Sequence, residues 1–146
     1  MKRVFLLASV LVMSATIFAQ QKKAEDLVRF KELVFDFGKV KQNVPAVHDF
    51  VFTNISDAPV VIESAMPSCG CTTPFKPEGA ISKGKSDKIT ASFNAVALGP
   101  FNKTITVKVA GADLPVQLRI VGEVLTADAY TKYEEEKGKT NKSGSY

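Results

Sequence analysis

The stretch "DLPVQLRIVGEV", residues 113–124, decides the fold class. Leu114, Val116, Leu118 and Ile120 alternate with Asp113, Pro115, Gln117 and Arg119. Apolar residues at every second position give an extended chain one dry and one wet face, the pattern of a half-buried strand in an antiparallel sheet. Pro115 has no N–H to donate, so it belongs at a sheet edge or at the start of its strand.

The same period recurs upstream. In "ELVFDFG" (32–38), Leu33, Phe35 and Phe37 alternate with Glu32, Val34 and Asp36. In "HDFVFTN" (48–54), Phe50 and Phe52 oppose Asp49, Val51 and Thr53. Ile89, Ala91 and Phe93 share one side of "DKITASFN", as do Ile105, Val107 and Val109 in "TITVKVA". Val60 and Ile62 mark one more strand in "APVVIESA". Between them lie "NISDAP", "SKGKSD", "ALGPFN" and "AGAD", whose Gly, Pro, Asn and Asp residues form turns. Six or seven such strands in about a hundred residues predict an all-β, immunoglobulin-like antiparallel β-sandwich. The chain has no tryptophan, and its two cysteines stand too close together to bridge two sheets. The core must therefore rest on phenylalanine.

The ends read differently. Lys2 and Arg3 precede the apolar run "VFLLASVLVMSATIFA" (4–19), which closes on small residues before "QQKK". A basic start, an apolar middle too short to span a bilayer and a small residue at the cut predict a signal peptide over 1–19. Residues 20–28 then read as a linker, 29–125 as the sandwich, and 126–146 as a charged, solvated tail that buries too little to order itself. A short helix over 130–137 is the alternative for that tail, since Glu and Lys favour it. The chain carries 19 basic and 15 acidic residues; without Lys2 and Arg3 the net charge is +2. So even a balance points to no nucleic-acid partner and no anionic membrane patch, and cleavage of the apolar run would leave no membrane span.

The order "FDFGKV" (35–40), "FVFTN" (50–54), "SCGCTTP" (68–74), "SKGK" (82–85) and "LRIVGEV" (118–124) resembles the bacterial domain-of-unknown-function 1573 family. The resemblance covers residues 29–125 and implies an exported immunoglobulin-like domain related to sandwich modules of ciliary and major-sperm-type proteins. It implies no established activity. Lys83 stands where the family pattern has a proline, but Gly84 still supplies the turn, as Gly38 and Gly70 are expected to do in theirs.

The chemistry concentrates in "PSCGCTTP" (67–74). In an oxidising compartment Cys69 and Cys71 would pair by default. So small a ring is strained, more easily reduced than a long-range bridge, and constrains little of the unfolded chain. Alternatively the two thiols are small buried fillers held between Pro67 and Pro74. Two thiolates with the thioether of Met66 could clamp Cu(I), a soft ion. Met66 also reads as a gap-filler, and His48, the sole histidine, as an exposed strand residue rather than a ligand. Thiol–disulfide exchange is the further alternative, although the helix N-terminus that activates most dithiol enzymes is missing. No nucleophile elbow surrounds any serine, and the carboxylates are scattered.

The sequence therefore predicts a non-enzymatic binding or scaffolding module of a bacterial envelope, periplasmic or secreted. Its partner would be an unidentified protein or envelope component. Cu(I) binding or thiol redox chemistry at the Cys-Gly-Cys turn is the alternative.

Overall fold

In the computed structural model, which describes residues 21–142, the alternating segments form two packed sheets of four strands each. The strands are β1 (Val28–Phe30), β2 (Val34–Lys41), β3 (Ala46–Asn54), β4 (Ile62–Pro67), β5 (Thr72–Phe75), β6 (Ser86–Phe93), β7 (Gly99–Val109) and β8 (Val116–Leu125). Sheet I has the order β1-β3-β6-β5 and sheet II the order β2-β8-β7-β4. The residues that alternation assigns to the dry face fill the space between them. Phe50, Phe52, Ile89, Ala91 and Phe93 of sheet I meet Ile105, Val107, Val116, Leu118 and Ile120 of sheet II, all buried. Pro115 immediately precedes β8, an internal strand that could not have accepted it in its middle.

The sandwich is as expected, with differences in detail. All strand pairs are antiparallel except β2 with β8, which run parallel from Val34↔Arg119 to Lys41↔Leu125. The linker expected over 20–28 is partly folded. Lys23 bridges to Leu114, the Ala24 amide donates to the Leu114 carbonyl at 2.9 Å, and Ala24, Leu27 and Val28 are buried. These three small or aliphatic residues close one end of the core, so the domain starts earlier than the alternation alone indicates. The tail expected to be solvated coil is helical: α1 spans Ala127–Lys142. Its Glu, Lys and Ala content favours helix, and the Thr126 hydroxyl accepts the Ala129 amide at its start. The signal peptide expected over 1–19 lies outside the described residues. Among the described residues no helix is long and apolar enough to cross a membrane.

The sequence motifs meet in pairs. Gly38, at φ 65°, bulges β2 and donates its amide to the Asp36 carboxylate at 2.7 Å. Its carbonyl lies against Gly122 of β8, where an added Cβ would stand 2.9 Å from that oxygen and 2.8 Å from the Phe101 ring. At the other end Gly84, at φ 73°, donates to the carbonyl of Asn54. The Asn54 side chain is buried and fully used. Its amide donates to the carbonyls of Ala58 and Ile81, and its oxygen accepts the amide and hydroxyl of Ser56.

Candidate functional site

The topology gathers three loops at one end of the sandwich: 42–45 between β2 and β3, 68–71 between β4 and β5, and 94–98 between β6 and β7. None carries a charged side chain. The opposite end, formed by 55–61, 76–85 and 110–115, carries Asp57, Lys76, Glu78, Lys83, Lys85 and Asp113. At the uncharged end Val44, Val96 and Leu98 are each at least half exposed, as is Val47 just inside β3. Apolar side chains held in water on uncharged loops are costly to solubility, and a local concentration of them marks a contact surface.

Backbone hydrogen bonds join these loops into one platform. The Asn43 amide donates to Ala95 O at 2.9 Å, and the Gln42 side-chain amide donates to Val96 O at 2.9 Å. The Asn94 amide donates to Cys71 O at 3.0 Å. Two non-glycine residues here, Asn43 (φ 61°) and Ala95 (φ 52°), adopt the left-handed conformation. Ala95 is fully buried and cannot gain from solvent what it loses in backbone strain, a cost of roughly 1–3 kcal/mol.

The Cys-Gly-Cys turn is the corner of this platform. It carries the chain from β4, an edge of sheet II, to β5, an edge of sheet I. Cys69 and Cys71 form a disulfide with their Cα atoms 5.3 Å apart. Cys71 packs against the buried core, whereas Gly70 is exposed with open space where a side chain would be. Gly70 does not take a left-handed φ, unlike Gly38 and Gly84, so its contribution to the turn is its missing side chain. A ring this small removes only about 1.6 kcal/mol of unfolded-chain entropy, against about 4.7 for a hundred-residue loop. The turn is fixed independently. The Ser68 amide donates to Thr104 O at 2.8 Å, and the Thr104 amide to the Ser68 hydroxyl at 3.1 Å.

The arrangement offers little to a metal. The two sulfurs are joined to each other, so a soft ion would find thiolates only after reduction. Met66 points into solvent from β4, 66 % exposed. No group of three His, Cys, Asp or Glu side chains is close enough to hold a metal among the described residues.

His48 is not the exposed strand residue that its neighbour Asp49 suggested. Its side chain is 17 % exposed and faces inward from β3. It stacks on Phe35, meets Phe37 and Phe50 edge-on, and shares a hydrogen bond of 3.0 Å with Glu32. Only the pairing of inward positions could have shown this: His48 is two residues before Phe50, on the same face. Asp49 points outward to Lys88 and Thr90, whose hydrogen bonds hold its carboxyl below the usual aspartate range.

Two sheets packed on a phenylalanine-rich core define an immunoglobulin-like sandwich. The chain belongs to the protein family of unknown function DUF1573, whose pattern matches residues 28–124. Among solved structures, PapD-like domain 7 of human CEP192, an ASH / PapD-like domain, aligns with a TM-score of 0.56 at 10 % identity, covering 68 % of this chain and 86 % of that one. A protein of unknown function from Porphyromonas gingivalis aligns with a TM-score of 0.58 at 9 % identity, covering 75 % and 51 %. The VesB protease of Vibrio cholerae gives 0.53 at 12 %, covering 67 % and 32 %. This chain thus spans about half of the Porphyromonas protein and a third of the protease, and at these identities the likeness is one of fold alone. No curated protein matches the chain.

Proposed function

We propose that this chain is an exported, non-catalytic binding module of a bacterial envelope that engages a protein partner through its uncharged end. The observation that carries the reading is the contrast between the two ends. One presents Val44, Val96 and Leu98 on hydrogen-bonded loops without a charge, and the other bears charged side chains in every loop. Loops displayed from a rigid sandwich are a common place for recognition, and strained non-glycine residues are tolerated where a surface must keep its shape. The leader-like composition of residues 1–19 and the disulfide both suit an oxidising compartment outside the cytoplasm. Fold analogy supports binding in general and names no partner.

The test places a photo-crosslinking residue at Val96 and, as a control, at Asp57 in the producing cell. Discrete adducts from position 96 that are absent from position 57, and that vanish with Leu98→Lys, support the reading. Adducts from position 57 alone, or equally from both, reject it. Fractionation with intact mass checks the address: a periplasmic or secreted product starting near Gln20 is expected, and a full-length cytoplasmic one overturns it.

A further inference from the structure

The binding reading leaves the disulfide at the platform's corner without a task. A bond between residues two apart joins no two elements that the chain does not already join, and the turn around it has its own hydrogen bonds to Thr104 and Asn94. Opening it therefore leaves Cys69 and Cys71 neighbours in a folded protein. A structural bridge has the opposite properties: it is shielded, and the fold loosens when it is cut. Both cysteines are half-buried, but they differ in their surroundings: Cys71 packs against the core, whereas Cys69 is not among the residues packed on it and adjoins the exposed Gly70. An uncharged rim places no carboxylate in the loops to repel an incoming thiolate.

We propose that Cys69–Cys71 is an exchange-active pair that accepts two electrons from a dithiol reductant while the domain stays folded. A thiolate of the reductant attacks Sγ of Cys69. The sulfur–sulfur bond breaks, and its electron pair leaves on Sγ of Cys71, which takes a proton from water. The reductant's second thiolate then attacks its own sulfur in the mixed disulfide and releases Cys69 as a thiolate. The products are the reduced pair and an oxidised reductant. The reverse steps re-form the bond when a disulfide-bearing oxidant is supplied. This activity does not depend on the proposed partner surface, because its readouts involve no partner.

The experiment treats the native, purified chain with dithiothreitol and follows intact mass and thermal midpoint. Reduction at a rate proportional to dithiothreitol is expected, with a midpoint shift of no more than about 5 °C. A rate that ignores reductant concentration, or a collapse of the fold on reduction, marks a structural staple and overturns the proposal. Glutathione, a monothiol, should leave a trapped adduct that maps to Cys69; an adduct on Cys71 overturns the assigned order of attack. As an independent check, alkylation of Cys69 in the Cys71→Ser variant should be about fivefold faster or more than that of Cys71 in Cys69→Ser. Equal rates reject the asymmetry.

Discussion

The imidazole of His48 lies flat on the ring of Phe35, with centroids 3.6 Å apart and planes 6° from parallel. His48 belongs to β3 in sheet I and Phe35 to β2 in sheet II, so this stack bridges the two layers. Beside it Phe37 leads to Phe101 and Phe93, and an aromatic ladder crosses the sandwich where β1 is too short to cover β3. Phe35→Ala should cost about 2–3 kcal/mol, read as a lower urea midpoint. His48→Phe keeps a stacked ring and frees an exposed Glu32, so it should cost less than about 1 kcal/mol. A larger loss from His48→Phe than from Phe35→Ala would show that the Glu32 hydrogen bond, not the stack, holds the layers.

Acid should weaken the outer face of sheet I through Asp49. Its carboxyl is held low chiefly by hydrogen bonds from Lys88 and Thr90. A folded-state value below the unfolded one means the stabilisation is present above the ordinary aspartate range and is lost as pH falls through the folded value. Asp49→Asn should therefore be less stable than the parent at pH 6, and the gap should close toward pH 2.5. Urea midpoints at both pH values decide this; a constant gap would show that the carboxylate charge plays no part.

Gly122→Ala should destabilise the domain by about 2–3 kcal/mol, because its Cβ would meet a phenylalanine ring and a backbone carbonyl at once. The double variant Gly122→Ala with Phe101→Leu should recover only part of the loss, since the Gly38 carbonyl stays in place. Full recovery would remove that oxygen from the explanation.

Two buried polar side chains should respond in opposite directions. Asn54→Ala takes one of two donors from each of the carbonyls of Ala58 and Ile81, which keep the Ser56 hydroxyl and the Val60 amide, and leaves the Ser56 amide without its acceptor, so it should cost about 2 kcal/mol. The Thr72 hydroxyl is buried without a hydrogen-bond partner among the described residues. Thr72→Val removes that group at nearly constant shape, so it should be neutral or stabilise by up to about 1 kcal/mol. Thermal or urea unfolding of the two variants checks the pair.

Period-two alternation was sufficient to reveal β3, β6, β7 and β8, because each buries one face and wets the other. It could not reveal β5, whose four residues include Pro74, nor β1, whose three residues are too few to alternate. Pairing partners are invisible in a single strand, which is why the parallel contact of β2 with β8 and the inward face of His48 emerged only from the fold. The candidate site divides the same way. Cys69 and Cys71 stand out in the sequence, whereas Val44 comes from one turn and Val96 and Leu98 from another, and they look ordinary until the loops converge. The helix at the C-terminal side shows that local propensity can outweigh poor burial: its Tyr130 lines an open cleft with Phe37 and Val40, and its other described side chains are mostly exposed.

The parallel partnership of β2 with β8 also sets an order of events. Val34 cannot meet Arg119, nor Ala24 reach Leu114, until almost the whole domain has emerged from the ribosome. Sheet II then waits for its last strand to provide the seat for its first, and closing so long a span before any contact repays it slows folding. A chain that stays open until its final segment arrives is also one that can be threaded through a narrow pore before it sets.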